Sequence, residues 1–301
     1  MHNTRQNNPV LVTGSKGQLA TSLARLGGAA IKCVGRPDFD FDRPETLRAV
    51  LDFVQPAVVI NAAAWTAVDL AESEPEAAAR ANTQGPSELA RLCALRNIPF
   101  IHISTDYVFS GDKGAPYVET DAVSPQTVYG RTKAEGEMRV LAANPQSLIF
   151  RTSWVYSPQS KNFLCTMLNA AARNPVLKVV ADQRGNPTSA DDLAQAILSV
   201  VRILHENGWQ DEFAGIYHAC GTGQTTWYGL AMEIFKNAAR YGLSVPEVRP
   251  IQTKDWPTPA RRPADSRMDN TKLARVFGVV MPEWEDSVRR AVDSAYAVTE
   301  K

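Results

Sequence analysis

The feature that most limits what this chain can become is a rhythm. Over the first half, short β-branched apolar runs alternate with longer amphipathic stretches. The runs are VLVT (10–13), IKCVG (31–35), AVVIN (57–61), PFIHIS (99–104) and SLIFRTS (147–153). Strands that read as continuous apolar runs are those whose two sheet faces are both covered by helices. The stretches between them read as helices. QLATSLARLG ends on a glycine suited to a C-cap, RPETLRAVLDFV places Pro44 near a helix start, and PEAAARANTQGPSELARLCALRN continues the pattern. Repeated βαβ units of this kind predict an α/β fold with a parallel, doubly wound sheet. Beyond about residue 155 the rhythm loosens. DQRGNPTSADDLAQAILSVVRIL reads as a loop and then a helix capped by Ser189 or Asp191. The late, proline-rich TKDWPTPARRPADS reads as an extended loop reaching across to another lobe.

Charge and cysteine content narrow the function classes. The formal net charge is zero, whereas nucleic-acid binders usually carry a basic excess that neutralises phosphates, so nucleic acid is not an expected partner. Cys33, Cys93, Cys165 and Cys220 stand far apart, with no CxxC pair and no histidine at zinc spacing. They read as buried free thiols of a reducing compartment. The polar start MHNTRQNNPV lacks the apolar segment of a signal peptide, and no run approaches the roughly 20 apolar residues of a membrane span. A cytoplasmic protein is the expectation.

The first strand runs into TGSKGQLA, which puts Gly14 and Gly17 at a strand-to-helix turn. Glycines there permit a sharp turn and let backbone N–H groups approach a pyrophosphate, an anion that the helix N-terminus also favours. A GxxG string alone is a common turn; its place at the head of a βαβ series points to a dinucleotide site and a Rossmann-like sheet. The third small position is Ala20. Where the second strand ends, GRPDFDFD presents Arg36, which suits a 2′-phosphate and favours NADP(H), while Asp38 and Asp40 leave NAD(H) open. An arginine there is otherwise a solvated loop residue. In NAAAWTAVD, Asn61 ends a strand, and Ala62, Ala63 and Ala64 either let the backbone pass close to a flat cofactor or make a tight helix–sheet contact. STDYVFSG places Ser104, Thr105 and Asp106 at the carboxyl edge of the sheet, as a strand-to-loop cap or as a site for a substrate oxygen.

YGRTK (129–133) then opens a helix running to about Leu141, with Tyr129 and Lys133 on one face turned towards the crevice. A phenol with a pKa of about 10 is a reluctant proton donor near neutrality. A neighbouring ammonium and an oxidised nicotinamide both favour the phenolate and bring that value towards the working range.

With these motifs together, the chain resembles the extended short-chain dehydrogenase/reductases and, among them, the dTDP-4-dehydrorhamnose reductase family. GSKGQLA, NAAAWTAVDLAE, STDYVFSG, YGRTKAEGE, RTSWVY, DQRGNPTSADDLA and ARRPADSRMDNTKL occur in the family's order from Leu11 to about Trp284. The glycine turn and the YxxxK element identify the superfamily, while NAAAWTAVD, STDYVFSG and DQRGNPT point to the reductases. The resemblance implies a dinucleotide-binding domain over 1–154, rejoined by about 189–215, and a smaller, interleaved α/β substrate-binding domain over 155–301. It implies Thr105, Tyr129 and Lys133 as the catalytic trio. Gly14, Gly17, Gln18 and Leu19 would face the cofactor's pyrophosphate, Asp40 and Phe41 its adenosine end, and Ala62 to Ala64 its far half.

On the same footing Tyr107 and Trp154 would border the sugar, with Asn162, Pro187 and Thr188 on the substrate side. Trp154 could instead be plain core, and Arg262 would pair with a substrate phosphate or form a surface ion pair. The implied reaction is NAD(P)H-dependent reduction of the C4 ketone of dTDP-4-dehydro-β-L-rhamnose. Nucleotide-sugar dehydratases and epimerases, and the non-catalytic regulatory subunit of methionine adenosyltransferase, share much of the pattern. Some relatives bridge a dimer through Mg²⁺ on glutamates, one of them at the position of Ser22 here. A hydroxyl is a poor substitute for a carboxylate around that ion, so no metal-bridged dimer is expected, and a monomer or weak homodimer is.

Overall fold

The computed structural model describes residues 8–297; residues 1–7 of the polar N-terminal stretch, and residues 298–301, lie outside it. Six strands form one parallel sheet: β1 (Val10–Thr13), β2 (Ile31–Val34), β3 (Val58–Asn61), β4 (Phe100–Thr105), β5 (Ser147–Thr152) and β6 (Gly215–His218). Their spatial order is β2-β1-β3-β4-β5-β6, with every neighbouring pair parallel. The chain leaves β1 to one side and returns for β3 on the other. In an open α/β sheet such a reversal opens a crevice at the strands' carboxyl ends.

The helices that build and line this crevice are α1 (Gln18–Gly27), α2 (Pro44–Val54), α3 (Pro75–Ala79 and Gly85–Ala94, joined by the π-helical turn Arg80–Gln84), α4 (Val128–Ala143), α5 (Phe163–Ala171), α6 (Ala190–Asn207), α7 (Trp227–Ala238) and α8 (Trp284–Ala297). Strand side chains alternate between faces. Val10, Val12, Ile60, Ile101, Leu148 and Phe150 pack on one face against Leu23 of α1 and Leu193 and Ile197 of α6. Leu11, Val59, Phe100 and Ile149 pack on the other against Leu47 of α2, Leu89 of α3 and Val140 of α4. A further core joins Leu164 of α5, Ile234 and Phe235 of α7 and Trp284 and Val288 of α8. Beside it runs the parallel pair Val176–Val180 and Glu247–Ile251.

Two local details depart from the sequence reading. The stretch read as one helical pattern from Pro75 holds a π-helical turn, an extra residue that an amphipathic period absorbs without trace. Ser189 is the N-cap of α6, but its side chain makes no capping hydrogen bond. The helix α4 carries its own explanation in YGRTKAEGE. Thr127 caps it by accepting from Gly130 N at 3.0 Å. A Cβ at Gly130 would lie 2.2 Å from Tyr107 O, and one at Gly136 2.1 Å from Asn82 O. Those two glycines therefore let α4 nest between the end of β4 and the π-helical turn.

Candidate active site

The glycine turn lies at the switch point. Gly14 has φ +78°, and a Cβ there would sit 2.9 Å from Ala63 N, so the turn after β1 presses against the alanine strip after β3. Gly17 N donates to Gly14 O at 2.8 Å. Gly17 is also the N-cap of α1, where it offers no side-chain acceptor, and the first turn holds no acid. The N-terminal N–H groups of α1 thus suit an external anion. Leu19 is buried. Gln18 reaches across to the segment after β5: its Nε2 donates to Val155 O at 3.3 Å, and its Oε1 accepts from Ser157 Oγ at 3.0 Å and Asn162 Nδ2 at 2.9 Å. Asn162, expected on the substrate side, is thereby tied to a cofactor-side residue, and its Oδ1 caps α5 by accepting from Cys165 N.

Arg36 follows β2 with its side chain 68% exposed and held by Asp40 at 3.0 Å and Asp42 at 2.9 Å. Phe41 lies edge-on to Phe39 and fills the space that a Cβ at Gly85 would need.

A line of buried polar groups crosses three strands. Thr13, Asn61 and His102 are lateral neighbours in the register of β1, β3 and β4. Ala63 N donates to Thr13 Oγ1 at 3.2 Å, and Thr13 Oγ1 donates to Asn61 Oδ1 at 2.6 Å. Asn61 Nδ2 lies 2.9 Å from His102 Nδ1, and His102 Nε2 lies 3.3 Å from Lys133 Nζ. Lys133, 1% exposed, donates to Ile103 O at 2.6 Å. Burial pushes its pKa down to about 8, against the pull of Glu137.

Thr105 ends β4 and is buried beside Tyr129. Its Oγ1 accepts from Tyr107 N at 3.2 Å and donates to Asp106 Oδ1 at 3.0 Å. Burial raises the Tyr129 phenol above its ordinary value, with the Thr105 hydrogen bond acting against that rise. Asp106 is buried, and burial pushes its carboxyl up to about 6. Tyr107 packs edge-on against Tyr129 with ring centroids 5.4 Å apart.

The remaining residues expected at the substrate are spread around this centre. Arg262 donates to Tyr107 Oη at 3.0 Å and pairs with Asp69 at 2.5 Å, while Ala260 N donates to the other Asp69 oxygen at 3.1 Å. The proline-rich loop therefore does reach across, to the turn Val68–Ala71, and Arg262 is engaged there in an ion pair. Trp154 has φ +47°, rare for a bulky residue. Its ring stacks on Trp227 with centroids 3.7 Å apart and covers Gly185. Thr188 is fully buried; its hydroxyl bonds Asn186 O and accepts from Gly221 N. Pro187 backs the same contact through its carbonyl, which a Cβ at Gly221 would strike.

The RmlD substrate binding domain family model matches residues 8–297. The chain is 43% identical over 283 residues to the dTDP-4-dehydrorhamnose reductase of Sinorhizobium fredii, covering 93% of this chain and 95% of that one. This chain belongs to the dTDP-4-dehydrorhamnose reductase family. It is 39% identical to the Salmonella typhimurium member, with 96% and 99% of the two chains covered. A crystal structure of the Bacillus anthracis dTDP-4-dehydrorhamnose reductase in complex with NADP superposes with a TM-score of 0.86 at 30% identity, again covering 96% of this chain and 99% of that one.

In this reductase-family chain the cradle fits a nicotinamide dinucleotide. The glycine turn excludes a side chain, α1 offers an uncapped N-terminus, and the strip Ala62 to Ala64 packed against that turn carries nothing larger than methyl groups. Among the described residues no group of three or more His, Cys, Asp or Glu could hold a metal. No described helix is long and apolar enough to cross a membrane. All four cysteines are free, but only Cys93 and Cys220 are buried; Cys33 and Cys165 are half-buried. Sequence reasoning missed His102 and Trp227, which carry no local motif, and gave Asn61 no role beyond ending its strand.

Proposed function

We propose that this chain reduces the C4 ketone of dTDP-4-dehydro-β-L-rhamnose to dTDP-β-L-rhamnose, with Tyr129 as the proton donor. The observation that carries the reading is the convergence of Thr105, Tyr129 and Lys133 at the carboxyl end of β4, linked through His102 and Asn61 to Thr13, the residue before Gly14. Gly14, Gly17, Gln18 and the strip Ala62 to Ala64 would hold the dinucleotide, which when bound supplies a hydride. Tyr129, loaded with its proton because burial disfavours the phenolate, protonates the oxygen that becomes an alkoxide at C4. Thr105 hydrogen-bonds that same oxygen, and Lys133 serves the nicotinamide ribose. Tyr107 and Trp154 border the sugar, and residues 155–297 outside α6 and β6 act as the substrate lobe. The test follows NADPH consumption by its near-ultraviolet absorbance, with substrate made in situ from dTDP-glucose by the two preceding enzymes. Loss of one NADPH per sugar is expected; turnover without net loss would instead mark an epimerase or dehydratase, which regenerates its cofactor.

Arg36 supports a preference for NADPH, since its guanidinium follows the strand that normally recognises the adenosine ribose and is exposed to a ligand. Arg36→Ala should raise KM for NADPH by about tenfold, the value of one charge-assisted hydrogen bond, and leave KM for NADH unchanged. Equal effects on both cofactors would remove Arg36 from 2′-phosphate recognition.

A further inference from the structure

The buried line from Thr13 to Lys133 fixes where its protons lie. The Ala63 N–H is a donor under all conditions, so Thr13 Oγ1 accepts from it and turns its own proton to Asn61 Oδ1. That choice orients the Asn61 amide, whose Nδ2 then donates to His102 Nδ1. The reverse orientation would leave the hydroxyl proton of Thr13, a fully buried residue, without an acceptor. A neutral imidazole that accepts at Nδ1 carries its proton on Nε2. Burial alone keeps His102 neutral. The Nε2–H therefore points at Lys133 Nζ, 3.3 Å away. An uncharged amine satisfies this geometry completely, donating to Ile103 O and accepting from Nε2–H with its lone pair. An ammonium would set N–H against N–H.

We propose that Asn61 holds His102 in its Nε2–H form so that Lys133 rests as a neutral amine at mildly alkaline pH, and that binding of a nicotinamide dinucleotide there draws a proton from solvent onto Lys133. The inference rests on the reading of the crevice as a dinucleotide site. Ribose hydroxyls bring oxygen acceptors, which an ammonium with three donors can use and which change the balance that His102 sets. The other charges around Lys133 are Glu137 and Tyr129, each one turn away on α4. Glu137 is already taken by Arg151 of β5 and Ser104 of β4, and Tyr129 is a neutral phenol. His102 is thus a positioning residue that acts through the lysine.

Proton uptake on NADPH binding, counted by isothermal titration in buffers of different ionisation enthalpy, tests this. Because burial pushes Lys133 down to about 8, uptake should peak at about pH 9, at close to one proton per dinucleotide, and fall towards zero at about pH 6. Lys133→Met should abolish it. Asn61→Asp keeps the shape but accepts from the imidazole, which moves the proton to Nδ1 and makes Nε2 an acceptor for an ammonium; uptake near pH 9 should drop at least threefold. In ¹⁵N NMR of histidine-labelled wild-type protein, His102 should show a bare Nδ1 and a protonated Nε2. NADPH binding without uptake, uptake that persists in Lys133→Met, or a His102 protonated on Nδ1 would each overturn the proposal. Failure to bind NADPH at all would overturn the dinucleotide reading itself.

Discussion

Replacing Tyr129 with phenylalanine is expected to lower kcat by roughly two to four orders of magnitude, the usual worth of a positioned acid, while the dissociation constant for NADPH stays within about twofold. The substitution removes one oxygen from a buried ring whose edge-on partner Tyr107 remains. Thr105 keeps its bonds to Tyr107 N and Asp106, so the end of β4 has no reason to move. Burial raises the phenol, so the proton is present throughout the neutral range and the wild-type rate should fall only on the alkaline side. The residual rate of the variant should lack that alkaline limb. Steady-state assays and titration calorimetry together decide the matter, and a variant that turns over normally would take the phenol out of the mechanism.

The largest loss of stability is expected at Glu137. Its carboxylate and the Arg151 guanidinium are 3% and 2% exposed, joined at 2.7, 3.0 and 3.2 Å, with the guanidinium lying over the Phe109 ring at 5.0 Å. Arg151 cannot shed its charge, and its Nη1 already has no hydrogen-bond partner among the described residues. Burial and Arg151 together push His218 down to about 3, so that neighbour stays neutral as well. Glu137→Leu should therefore cost about 3–5 kcal/mol, the penalty of stranding one buried charge. The double variant Glu137→Leu, Arg151→Met should recover most of that loss, because it strands no charge and leaves only the Ser104 hydroxyl without its acceptor. Urea midpoints measure both. A single variant as stable as wild type would mean that water reaches Arg151.

What the amino acids disclosed and what they hid follow from distance along the chain. The parallel sheet, the Gly14 turn and the Tyr129–Lys133 pair were legible because each is written within a few residues: apolar runs, a GxxG string, a four-residue spacing. The line Thr13–Asn61–His102 depends on strand register, which brings together residues more than forty positions apart and leaves no local trace. The stacking of Trp154 on Trp227 is hidden for the same reason. Arg262 was visible as a charge, but sequence alone could not show that Asp69 would stand opposite it. The half-buried Cys33 and Cys165 show the limit of composition, which gives a residue's usual habitat and not its neighbours.

The π-helical turn in α3 has a kinematic meaning. Asn82 there clasps both the N–H and the carbonyl of Trp65, just past the alanine strip, and its amide also donates to Thr132 of α4, whose carbonyl accepts from Thr83. The strip and the tyrosine-bearing helix are consequently clamped into a single rigid body. The spacing between the strip and the phenol is thus set by hydrogen bonds internal to the fold, with nothing left for a partner to assemble.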